Sequence, residues 1–228
     1  MTRPPHPSLR SPRFRVVIAM AAMATVVMTA CSPSDSSPEP DSSSTSAPLT
    51  PPALAPPDDD HEWPTEFNAE LHDELVAMLE RDQIDSMGGS SGESFQTRTN
   101  RLSEIIAEFG WPTIVLVGKD GEDAAWAIAQ HSDLDPHFQD FALAWLRAAA
   151  EAGEASLGNL AYLEDRVLVA RGEPQLWGTQ IRCGEDGPVP ATPIAEEATV
   201  DERRTRAGLD PLAVYLDEVA GLCEEFAP

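Results

Sequence analysis

A mainly α-helical bundle with one small β-hairpin, preceded by a disordered linker, is the fold class that three features of the sequence predict. Apolar residues recur at i, i+3, i+4 and i+7 over most of the chain beyond residue 62. Alternation replaces that period only around Gln175–Cys183. Ahead of both, residues 31–61 are mostly Ser, Pro, Thr, Ala and Asp, with no aromatic or β-branched apolar residue to offset the entropy of ordering. The division expected is therefore a leader over 1–30, a tether over 31–61 and a helical domain over 62–228, about 165 residues and enough for one real core.

The leader comes first in the chain. Residues 1–15 carry Arg3, Arg10, Arg13 and Arg15 and no acid, and the thirteen residues Val16–Met28 follow without a charge. This is the layout of a secretory signal, and its apolar run is too short for an ordinary span, which needs about 20 residues. Small Thr29 and Ala30 then precede Cys31, and the site resembles the bacterial lipobox, with Met28 where Leu is commoner. The resemblance implies diacylglyceryl transfer to the Cys31 thiol and a mature chain that begins there, anchored in the lipid bilayer on the extracytoplasmic face of the cell membrane. Two acyl chains hold stably where one holds marginally. The tether has a mean end-to-end distance of roughly 30 Å as a flexible coil and approaches about 90 Å when fully extended. The run Asp58-Asp59-Asp60-His61 reads as its solvated acidic end.

Each helix has its own signals. Phe67, Leu71, Leu75, Val76, Met78 and Leu79 form one stripe, and Leu102, Ile105, Ile106 and Phe109 form a second that stops at Gly110, with a polar loop over Asp85–Gly92 between them. Asp120 is the expected cap of a third helix running to His131. Asp135 followed by Pro136 opens a fourth, whose stripe is Phe138, Phe141, Ala142, Trp145, Leu146 and Ala149. Ser156 opens a fifth that closes at Gly172. Strands are expected at Gln175–Cys183 and Val189–Ile194, a capping box at Thr199 and Glu202, and a last helix from Asp210-Pro211 with Leu212, Tyr215, Leu216, Val219, Leu222, Cys223 and Phe226 on one face.

Charge and cysteines narrow the function classes. The formal net charge is −24, and loss of the four leader arginines makes the mature chain four charges more negative. Nucleic acid and anionic headgroups both require basic patches, so neither is an expected partner. Lipidation of Cys31 leaves Cys183 and Cys223 as an even pair in an oxidising compartment, either bridged or buried as separate thiols. Gly88-Gly89-Ser90-Ser91-Gly92 matches the spelling of a nucleophile elbow, but the strand and helix that would expose its serine are missing.

Polar residues concentrate in two places, Gln130–His137 and Gln175–Gln180. His131 and Asp133 could supply acid–base chemistry or metal ligation, and Arg166, Thr179 and Gln180 could hold a small polar ligand. Each also has a structural use at a cap or turn. Gly110-Trp111-Pro112-Thr113, Gln130-His131-x-Asp133, Ala161-Tyr162-Leu163-x-Asp165-Arg166 and Gln175-x-Trp177-Gly178-Thr179-Gln180 resemble the motifs of an uncharacterised bacterial family of unknown function, which usually has Tyr where Trp177 stands. The resemblance implies no activity and points to His131, Asp133, Arg166, Thr179 and Gln180. His131 and Gln180 are expected to line one pocket. Two functions are in view: a non-catalytic envelope lipoprotein that binds a small polar ligand or an envelope protein, and a hydrolase with His131 as general acid or base oriented by Asp133. No metal and no cofactor is expected.

Overall fold

The computed structural model describes residues 57–58, 61–185 and 187–225. The leader, Cys31, most of the tether and Phe226 lie outside the described residues. Seven α-helices and one antiparallel hairpin make up the rest, a mainly α fold.

Helices α1 (Ala69–Ser86) and α2 (Phe95–Phe109) are opened by Asn68 and Ser94, whose side chains accept from the N–H groups of Leu71 and Thr97. Gly110, at φ 75°, ends α2, and a Cβ there would stand 2.8 Å from His61 Nε2 and 2.9 Å from Trp145 Cζ3. The His61 ring lies 4.6 Å from Trp63 and 4.8 Å from Trp145 edge-on, so the polypeptide entering the domain is seated on the helices.

Helix α3 (Ile114–Gln130) differs from its expected start. Thr113 caps it by accepting from Leu116 N–H, and Gly118 at φ 73° breaks the helical path five residues later. Asp120 is not the cap: its Oδ1 accepts from the adjacent Gly121 N–H, while Oδ2 meets His72 Nε2. Helices α4 (Pro136–Glu151) and α5 (Leu157–Ala170) start where expected, with Asp135 accepting from Phe138 N–H and Ser156 from Asn159 N–H. Helices α1 to α5 share one apolar core, with α3 packed against the other four. Trp111, Leu75, Leu102, Ile105, Ile106, Ile128, Phe138, Leu146 and Leu163 are its largest fully buried apolar side chains.

The hairpin is shorter than its alternation suggested. Strands β1 (Ile181–Gly184) and β2 (Gly187–Pro190) pair antiparallel, and Gln175 reaches the returning chain through an isolated bridge to Ile194 and a side-chain bond to Thr192 O. Gly178 is the reason, because its φ of 66° turns the chain, and a Cβ there would meet Ile194 Cδ1 at 2.6 Å. The capping box also fails to form: Thr199 Oγ1 donates to Glu196 O and accepts from Arg203 Nη1. Helices α6 (Val200–Arg206) and α7 (Leu212–Glu225) follow. The first N–H of α7 donates to Asp201 Oδ1, not to Asp210. Two small apolar clusters hold this region, Ile181–Tyr215–Val219 and Ile194–Val200–Leu212, and a Cys183–Cys223 disulfide joins β1 to α7.

Candidate functional site

The turn between α3 and α4 is built rigidly. His131 N–H closes α3 on the Ala127 and Ala129 carbonyls, and Asp135 caps α4. Between them Ser132 is buried, donating to Ile128 O at 2.7 Å and meeting Thr99 Oγ1 of α2 at 2.8 Å. With its middle tied inward, the turn sends His131 toward α1 and Asp133 toward α5.

His131 Nδ1 lies 2.5 Å from Asp82 Oδ2 and 3.5 Å from Ser86 Oγ, both on α1. Asp82 is only 1 % exposed, and its Oδ1 faces the equally buried Arg98, with Nε at 3.6 Å. The guanidinium lies 4.7 Å above the Phe95 ring and reaches Asp85 Oδ2 at 2.9 Å through Nη2. Asp85 accepts the Ser91 N–H at 2.7 Å and the Ser91 hydroxyl at 2.8 Å; these bonds, with Arg98, outweigh burial and hold its carboxyl below the usual range. Ser91, the neighbour of the elbow-like Ser90, thus gives its hydroxyl to a carboxylate of the last turn of α1. His131 Nε2, by contrast, bonds to no described residue and is not among the buried polar atoms, so it opens to solvent.

A second network leaves the other side of the turn. Asp133 receives Arg166 Nε at 2.8 Å and Nη2 at 2.5 Å, and Gln139 Nε2 at 3.2 Å. Burial, the largest single effect, raises its pKa, but Arg166, Gln139 and the charge of His131 together lower it by more. Arg166 Nη1 donates to Gln180 Oε1 at 3.4 Å, and Gln180 Nε2 donates to Thr179 Oγ1 and Tyr162 O. Thr179 in turn gives its N–H and hydroxyl to Asp165 Oδ2 at 2.9 and 3.0 Å. Asp165, fully buried, also collects the N–H groups of Leu176 and Trp177, and burial raises its pKa despite them. Gln175 closes the loop across both backbone groups of Gln180. The Trp177 indole N–H donates to Glu164 Oε2.

Asp133, Arg166, Gln180 and Thr179 therefore meet in one network, whereas His131 belongs to another, and the two are joined by the turn itself. The histidine does not share its bonds with Gln180. Asp133 is also not the group that orients His131: Arg166 takes both of its oxygens, and Asp82 holds Nδ1. Asp82 and Arg98 escaped the reading of polar clusters because they are far apart in sequence. Their signal was a different one, a charge set into an apolar stripe, since Leu71, Leu75, Met78 and Asp82 share the buried face of α1, and Arg98, Leu102, Ile105 and Ile106 that of α2.

A recess of about 360 Å³ beside the hairpin, with Arg182, Thr192, Ile194 and Glu197 in its wall, contains none of these residues. Among the described residues no His, Cys, Asp and Glu side chains cluster so as to hold a metal ion, and no helix is long and apolar enough to cross a membrane. A family model described as a family of unknown function, DUF6624, matches residues 69–223. No curated protein and no solved structure matches the chain.

Proposed function

The chain belongs to DUF6624, a family of unknown function, and from that premise we propose an envelope lipoprotein, held on the extracytoplasmic face of the membrane by acylated Cys31, whose helical domain binds a small polar ligand or an envelope protein without transforming it. The anchor rests on the leader and the Thr29-Ala30-Cys31 site. The binding role rests on one observation. Asp133, Arg166, Thr179 and Gln180 bond to one another, and His131 Nε2 alone is left open on a rigid turn.

A second reading, a hydrolase with His131 as general acid or base, is favoured by the 2.5 Å contact with Asp82, which takes the orienting place first given to Asp133. It lacks a nucleophile at Nε2: among the described residues no hydroxyl or thiol bonds to that nitrogen, and Ser86 lies on the Nδ1 side.

The test uses the full chain in membranes. A panel of sugars, amino acids and nucleotides should contain a compound that raises the melting temperature of the wild type but not of His131→Ala, the two melting alike without it. Hydrolysis of a chromogenic ester, amide or phosphoester that is lost in both His131→Ala and Asp82→Asn would overturn binding in favour of the hydrolase. Cys31→Ser should leave the membrane fraction or stay unprocessed; normal maturation with full retention would refute the anchor.

A further inference from the structure

The chain of contacts Arg98–Asp82–His131 has a chemical direction. Arg98 is a donor at every nitrogen and keeps its charge, so the side of Asp82 that faces it must accept. The other carboxylate oxygen, 2.5 Å from His131 Nδ1, is an acceptor too, and that contact needs a proton on Nδ1. In a neutral imidazole the second nitrogen then has none.

We infer that Asp82 is a positioning residue that fixes neutral His131 as its Nδ1–H tautomer, so that the solvent-facing Nε2 is a dedicated hydrogen-bond acceptor. The ligand class follows: the atom that meets His131 carries a hydrogen, as in a hydroxyl, an amide N–H or an ammonium, and a bare carbonyl or anion does not fit. This ligand class rests on the binding role proposed above for His131; the tautomer does not.

The substitution Asp82→Asn reverses the arrangement. Arg98 Nε stands 3.6 Å from Asp82 Oδ1 and remains a donor, so in the variant the amide oxygen turns toward the arginine and the NH₂ toward the histidine. His131 must then accept at Nδ1 and carry its proton on Nε2. Few purely structural roles of Asp82 would swap the two ring nitrogens while leaving the fold in place.

The experiment is a long-range ¹H–¹⁵N correlation spectrum of the ¹⁵N-labelled full-length lipoprotein in detergent, at alkaline pH where imidazoles are neutral. The wild type should show a pyrrole-type Nδ1 and a pyridine-type Nε2 for His131, with the types exchanged in Asp82→Asn. Diethyl pyrocarbonate, which acylates an unprotonated ring nitrogen, should modify His131 severalfold more slowly in Asp82→Asn than in the wild type, as read by mass spectrometry. A wild-type Nε2 that is protonated or tautomerically averaged would overturn the inference, and that reading needs no variant to fold. An unchanged pattern in a folded Asp82→Asn would overturn it as well. The tautomer observed without any ligand at His131 would uphold the positioning role and remove the binding role alone.

Discussion

Arg166 grips Asp133 with two parallel bonds, Nε to Oδ1 at 2.8 Å and Nη2 to Oδ2 at 2.5 Å, and so ties the α3–α4 turn to α5. The arginine is 17 % exposed and the aspartate 49 %, which places the pair between a solvated bridge and a buried one. Arg166→Ala should therefore cost about 1–2 kcal/mol, and a double-mutant cycle with Asp133→Asn should give a coupling of about 1 kcal/mol by urea denaturation. Because the folded pKa of Asp133 is depressed below 3.8, the contribution is present above that value and lost as pH falls through the lower folded one. Arg166→Ala should flatten that part of the acid limb.

Asp165 serves structure, although it stands in the same motif as Arg166. Its carboxylate holds the N–H groups of Leu176, Trp177 and Thr179 and the Thr179 hydroxyl, and it is fully buried. Asp165→Ala orphans these donors together and should cost roughly 3–5 kcal/mol, read from denaturant midpoints. Near-ultraviolet circular dichroism should report the loss of Trp177 order.

Glu122 sets a pH dependence from the middle of α3. It is fully buried, and burial first, then the charge of Asp123, raises its pKa from 4.5 to about 7 against the pull of Lys119. The folded chain thus binds a proton that the unfolded chain has released. Stability should fall as pH rises from about 4.5 to about 7 and then level off, by about 3 kcal/mol at most. Glu122→Gln keeps an acceptor for Asn159 Nδ2 and should remove this slope, leaving the variant more stable than the wild type above neutrality in denaturation curves taken across that window.

Reduction of Cys183–Cys223 should loosen the C-terminal region more than the helical core. The bridge spans a separation of 40 residues, and the chain-entropy model assigns such a loop roughly 4 kcal/mol. The Cys183→Ser, Cys223→Ser double variant should lose about that much. Hydrogen exchange should rise in α7 and the hairpin, which then depend on the small clusters around Tyr215 and Leu212 and on the hydrogen bonds at Leu212 N–H and the Tyr215 hydroxyl.

The helices were legible because their determinants are local. Asp135 and Ser156 cap the next helix with their own side chains, and the stripe from Phe138 to Ala149 packs as its period requires. Local signals failed where a distant group competed for the same atoms. Asp165 and the left-handed Gly178 bend Gln175–Gln180 out of the strand its alternation suggested. Asp201 supplies the hydrogen bond to the start of α7 that Asp210 was expected to supply, and Arg203 occupies the hydroxyl of Thr199.

By itself the sequence determined the mainly α class, the order of the helices and the two segments in which polar side chains gather, because caps and apolar periods act over a few residues. Tertiary structure alone decided how those polar groups pair. Asp82 and His131 are 49 positions apart and Asp133 and Arg166 are 33 apart, so nothing in their spacing says which carboxylate meets the imidazole and which the guanidinium. That choice follows from the buried Ser132, which turns one neighbour toward α1, where the buried Asp82 must find a partner, and the other toward α5, where the partly buried Arg166 waits.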